Sequence, residues 1–330
     1  MSEIIIEQAV YRRADGEPPQ LVARSVGFRA DWLNEAAGLA VGFGDRPPGV
    51  KCPAAVFAHP LGIDQVIVVQ VADREWEQAR PAVFFHFSAL PQAAYERLFG
   101  DPFALARLLP PEWDRPELAA QTLPARTLPA EPLPARTVRD IQRVLKRIKA
   151  GALPEDKNAE SEPERDAHNS ESPALLGGAQ VLVDGGRVVF ERPAADSGLV
   201  PDLWTLLPGS TRCKLWPASF AFGNALKFDA LVVARTLDDD YEGYTREEQA
   251  AVYPEGRYEY HLQVAAEHDD QAALDALLSR RSWAETWRLG LIILVLVMVL
   301  AIVGRVLDIL GNGPRAPGGQ ERPVEKKEKP

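Results

Sequence analysis

Apolar and polar positions alternate, or gather into short Val/Ile/Phe-rich runs bounded by Gly, Pro and Asp, at residues 3–12, 21–25, 54–58, 65–71 and 82–87. A two-residue period places one row of side chains on each face of an extended chain, so these five segments predict strands. Residues 31–39 and 92–98 instead carry a helical pattern, the second opening after Pro91, whose fixed φ suits a first turn. In the second half, 181–183 and 187–190 flank Asp184-Gly185-Gly186, the composition of a tight hairpin turn. Residues 199–207 predict a helix stopped by Pro208-Gly209, 213–222 and 228–235 predict strands, and 269–280 predicts a helix. The expected fold is α+β, with mixed strands and helices in one composite soluble domain over residues 1–280, because neither half holds a self-contained pattern.

Two segments interrupt that domain. Residues 122–136 repeat Leu-Pro-Ala at 123, 128 and 133, too proline-dense for a helix or an inner strand, and predict an extended arm. Residues 151–173 carry seven acidic residues against Lys157 and Arg165 and little that is apolar, which predicts a disordered acidic insertion. Between them, Val138, Ile141, Val144, Leu145 and Ile148 fall on one face of a helix while Arg139, Arg143, Lys146 and Arg147 cover the other. That face suits either a membrane surface or acidic partner, or an ordinary domain helix with a solvated charged side.

The pattern changes near the C-terminus. Residues 289–304 read LGLIILVLVMVLAIVG, 16 positions without a charge. At about 1.5 Å per residue this stretch is roughly 24 Å long as a helix, a little short of the ~30 Å hydrocarbon core. Apolar residues continue to Leu310, and Trp283, Trp287, Arg288 and Arg305 have the chemistry of membrane-interface anchors. The expected arrangement is a juxtamembrane segment at 281–288, a single transmembrane helix at 289–310 and a disordered tail at 311–330. Glu3 and Glu7 beside a short Ile4–Ile6 triplet do not make a secretory leader, so the expected location is the cell membrane with the large domain cytoplasmic.

Charge sharpens this picture. The chain carries 37 Lys+Arg against 47 Asp+Glu, and nine of the basic and five of the acidic residues lie from Arg280 onward. The preceding domain is therefore strongly acidic. Wrapping a nucleic-acid backbone is excluded as an expectation, and anionic lipid would repel the domain unless a local basic face docks. Cys52 and Cys213 are too few for a disulfide framework or a Cys-rich zinc site. No phosphate-binding loop of the Walker type occurs, and the five histidines include no pair at the spacing of a helical metal site. No catalytic, cofactor-binding or metal-binding set is therefore expected. Tyr241, Tyr244, Tyr253, Tyr258 and Tyr260, set among acidic residues, are candidates for a recognition surface; a loop packed by its own tyrosines is the other reading. His59 and His86 are the candidates if the chain is instead a hydrolase using a histidine with a cysteine or carboxylate.

Gln8-Ala9-Val10-Tyr11, the run Leu21-Val22-Ala23-Arg24-Ser25-Val26-Gly27-Phe28, the strand around His86, and Leu175-Leu176-Gly177-Gly178-Ala179-Gln180 together resemble the N-terminal domain of bacterial GTPase-associated proteins of conflict and signalling systems. The resemblance implies a partner that is a small GTPase or other NTPase and brings no active site with it. The expected function is thus a membrane-tethered, non-enzymatic adaptor that binds a cytoplasmic protein. The membrane-anchored hydrolase is the alternative.

Overall fold

The alternating segments at the start of the chain do form strands. A computed structural model describes residues 3–52, 54–76, 80–111, 122–129, 133–152, 172–193, 195, 198–236, 239–254, 256–279 and 292–303. The chain divides into two units, Met1–Arg281 and Ser282–Pro330. In the first unit, β1 (Glu3–Ala14), β2 (Gln20–Arg24), β3 (Ala55–Leu61), β4 (Gln65–Trp76) and β5 (Arg80–Pro91) pair antiparallel in the order β3-β4-β5-β1-β2. The same sheet continues past β3 into the second half of the sequence, through β8 (Pro217–Ala221), β9 (Ala230–Val233), β7 (Val188–Glu191) and β10 (Thr245–Arg246). β3 and β8 are antiparallel, and from β8 to β10 every pairing is parallel. Strands β7, β8 and β9 are apolar at nearly every position because both of their faces are buried. The fold is α+β on a mixed sheet.

Register decides what faces where. Val10, His86 and Gln70 lie side by side across β1, β5 and β4, and Ala9, Phe87 and Val69 point the other way. The second face packs on α1 (Ala30–Gly42) through Ala36, Leu39 and Ala40, and on Phe43 just beyond it, whose ring meets Phe85 edge-on at 5.5 Å. The first face is covered by α2 (Gln92–Arg97), α3 (Pro102–Leu108) and the proline-rich segment. That segment is extended, as expected, but it is not a free arm. Residues Arg126–Pro129 form β6 on the outer side of β1, with Leu128 opposite Ile4, and Leu123 bridges to Ser25.

α4 (Val138–Ala152) buries Val138, Ile141, Val144 and Leu145 against α5 (Ser172–Val183), α6 (Leu199–Leu206) and α9 (Arg257–Glu267). Of the two readings of its apolar face, the structure supplies the domain helix. The expected hairpin at 181–190 is overturned: residues up to Val183 are the end of α5. The segment 174–183 is apolar all round because the helix is enclosed by α4, α6, α8 (Glu247–Ala251) and α9, which removes the helical period from the sequence. A Cβ on Gly177 would lie 1.8 Å from the Ala250 carbonyl oxygen, so glycine is what lets α8 sit this close. The Asp184-Gly185-Gly186 turn caps the helix, with Gly185 at φ +89 and the Gly186 N–H donating to the Val181 carbonyl. β8 also starts later than expected, at Pro217, because Cys213 and Lys214 still close α7 (Gly209–Arg212) by donating to the carbonyls of Gly209 and Thr211.

In the second unit, residues 292–303 form a helix, α11, whose large apolar side chains are 48–62% exposed. At about 1.5 Å per residue it is ~18 Å long. Among the described residues no helix is long and apolar enough to cross a membrane. Residues 289–291 and 304–310 of the expected span, the anchors Trp283, Trp287, Arg288 and Arg305, the tail 311–330 and residues 153–171 of the acidic insertion lie outside the described residues.

Candidate functional site

A concavity of about 570 Å³ lies between α3, residues 133–136, α4 and α6. Its first wall begins where α2 ends. Phe99 and Gly100 both take left-handed backbone (φ 58), and a Cβ on Gly100 would lie 2.8 Å from the Cys213 amide nitrogen, so the second position requires glycine. This turn delivers Asp101 to the start of α3, where Oδ1 accepts from the Ala104 N–H at 2.9 Å and Oδ2 accepts from Arg212 Nη1 at 3.1 Å. The opposite wall starts at Thr137, whose N–H and hydroxyl both donate to Asp140 Oδ2. Those bonds, led by the backbone one, hold the Asp140 carboxyl below the usual carboxylate range. The outward charged face of α4 then supplies Arg143, paired with Asp140, and Arg147, paired with Asp202 of α6 at 2.8 Å. Trp204 of α6, 1% exposed, donates from Nε1 to the Gly100 carbonyl at 2.8 Å and locks the two walls together.

Arg136 occupies the junction. It lines this cleft and an adjoining cavity of about 200 Å³ that Phe99, Arg212, Leu278 and Ser279 also line. Its Nη1 donates to the carbonyls of Thr205 (2.6 Å) and Leu207 (2.5 Å), closing the C-terminal end of α6. Burial, with Arg212 beside it, pulls the Arg136 pKa down to about 9, so it stays charged at neutral pH. Arg212 is 2% exposed and shifted down by burial, which Asp101 partly offsets. Asp101 is thus the near counter-charge for two interior guanidinium groups.

The sequence candidates lie elsewhere. His86 is fully buried on β5, its Nε2 2.9 Å from Gln8 Oε1. The Gln8 amide nitrogen donates to the Pro124 carbonyl at 2.7 Å, so its oxygen faces the imidazole and Nε2 carries the proton. Burial, with Arg126 nearby, pulls the His86 pKa down to about 3. A neutral, fully enclosed imidazole under the 122–129 segment cannot meet a substrate. His59 is half-buried on β3, with Nδ1 3.0 Å from the Pro60 carbonyl and its ring against Trp216. Cys52 is buried, with its thiol pushed up by desolvation, and the Cys213 thiol lies 3.9 Å from the Glu96 carbonyl. Among the described residues no cluster of His, Cys, Asp and Glu is placed to hold a metal ion.

The tyrosines do not gather into one surface. Tyr241 and Tyr244 are buried with their rings edge to face, and Tyr244 donates to the Phe228 carbonyl. Tyr258 is buried under α6 and donates to the Leu206 carbonyl. Tyr253 is half-buried beside Asp184, and Tyr260 alone of the five is exposed. Three of the five, Tyr241, Tyr244 and Tyr258, are thus buried in the core.

No family model, curated protein or solved structure matches the chain. The segments that carry the resemblance to GTPase-associated proteins have structural work in the fold. Gln8, Ser25 and His86 meet in one buried seam, where the Gln8 N–H donates to Ser25 Oγ at 2.8 Å and Ser25 Oγ donates to Glu7, while 175–180 lies in the enclosed helix α5. The cleft residues Asp101, Arg107, Arg136 and Arg212 were not among the sequence candidates. A signal for one of them does exist: Leu-Pro-Ala is followed by Arg at 126 and 136, and by Glu at 131, so the repeat is one source of cationic side chains.

Proposed function

We propose that this chain is a membrane-anchored adaptor, with its acidic α+β domain on the cytoplasmic side and a single span over 289–310. The observation that supports the anchor is α11, where every large apolar side chain is about half exposed. A helix apolar on all sides needs lipid or protein around it, and the flanking Trp and Arg residues suit the lipid interface. The domain then holds a protein partner near the bilayer, where confinement raises its effective concentration without tight intrinsic affinity. In keeping with the resemblance, that partner is a small GTPase or other NTPase.

The anchor is tested by extracting membranes with alkaline carbonate. The full chain is expected to stay in the pellet, and Val297→Arg combined with Leu300→Arg is expected to release it, because each mid-span arginine opposes insertion by about 2.5–3.5 kcal/mol. Release of the unsubstituted chain into the supernatant would remove the anchor.

A further inference from the structure

Among the described residues the cleft and the adjoining cavity are together lined by five arginines against four carboxylates, Asp275 included, so one guanidinium is in excess. Asp101, Asp140 and Asp202 are taken up by Arg212, Arg143 and Arg147 respectively. Among the described residues neither Arg107 nor Arg136 makes an ion pair, although both line the cleft. Arg136 uses only Nη1 in hydrogen bonds to the described residues, so the rest of its donor fork is left for the cavities it borders. In the adjoining cavity the nearly enclosed Arg212 has Nε without a hydrogen-bond partner among the described residues. Buried cations are ordinarily paired and fully hydrogen-bonded, and here two guanidinium forks are incompletely used at one junction.

We infer that the cleft binds a ligand bearing a phosphate group. A phosphate monoester carries close to two negative charges and three acceptor oxygens, which match the two unpaired arginines, and planar guanidinium forks are suited to such oxygens. A single carboxylate offers two acceptor oxygens to these forks where a phosphate offers three. The rest of the ligand lies on Phe103, Leu133, Pro134 and Pro201, and the volume is that of a metabolite-sized site. Ser279, at the end of α10 (Gln271–Leu278), borders the smaller cavity, and residues 280–291 lead from it to α11. A lipid headgroup and a soluble phosphate compound both supply the chemistry. The binding itself rests on neither the span nor the protein partner.

The experiment uses the full chain in neutral detergent micelles. In one arm inorganic pyrophosphate is titrated calorimetrically, with succinate as the dicarboxylate control. In the other, phosphatidylglycerol and phosphatidylcholine are offered in the micelles and retention is read by native mass spectrometry. Saturable binding of pyrophosphate assigns a soluble ligand, and selective retention of phosphatidylglycerol assigns a headgroup; either supports the site. In whichever arm responds, Arg107→Glu is expected to weaken binding at least tenfold without altering the thermal transition, since the side chain is exposed. Arg136→Gln is expected to abolish binding, with folding checked separately because it also removes the cap on α6. No saturable binding in either arm, succinate binding as tightly as pyrophosphate, or unchanged binding by Arg107→Glu would each overturn the inference.

Discussion

Between pH 7 and pH 4 the chain loses stability more steeply than its His86→Gln variant. His86 is neutral in the folded protein, with a pKa of about 3, whereas an exposed histidine titrates at about 6.5. Below pH 6.5 the unfolded chain therefore binds a proton that the folded chain does not. The contribution is full above that pH and falls by about 1.4 kcal/mol for each unit of acidification until the folded pKa is reached. By pH 4 this amounts to roughly 3 kcal/mol. Glutamine keeps an amide donor toward Gln8 and has nothing to titrate. Carboxylates held below their usual range, such as Asp140, act in the same direction but are common to both proteins. Denaturant unfolding of the detergent-solubilised chains at a series of pH values gives the two slopes, and parallel slopes would contradict the assignment of a neutral, buried imidazole.

Trp204→Ala is expected to cost about 3–5 kcal/mol, the range for truncating a large aromatic residue in a core. The side chain is enclosed, meets Phe103 edge-on at 6.2 Å and donates to the Gly100 carbonyl. Truncation leaves a cavity between α3 and α6 and strips that carbonyl of its donor. Because Gly100 fixes Asp101, and Asp101 fixes Arg212, the geometry of the cleft is lost together with the stability. Trp204→Phe keeps most of the packing and loses the hydrogen bond, so its expected cost is smaller, about 1–3 kcal/mol. Denaturant midpoints at constant slope measure both. Equal losses in the two variants would mean that the hydrogen bond, not the packing, joins the walls.

The antiparallel half of the sheet was legible because its strands carry the two-residue period or end at Pro, Gly and Asp, as in β1, β3 and β5. Helix α4 was legible for the matching reason: it has one buried and one solvated face. The hairpin reading of 181–190 failed because α5 is enclosed on all sides and shows no period, and its glycine cap has the composition of a hairpin turn. The five tyrosines are near one another in sequence but not in the fold: Tyr258 lies on α9 under α6, while Tyr241 and Tyr244 pack on each other beside Phe228. The cleft was hidden by distance along the chain. Asp101, Arg136 and Arg212 have no common motif, and each becomes informative only when α2–α3, the end of the proline-rich segment and α7 converge.

The central claim, an anchored chain whose large domain faces the cytoplasm, is tested most directly by protease accessibility. In intact cells, protease added outside is expected to leave the domain whole, as followed by an antibody to residues 1–280, and to digest it only once the membrane is permeabilised. Digestion of the domain in intact cells would contradict the account.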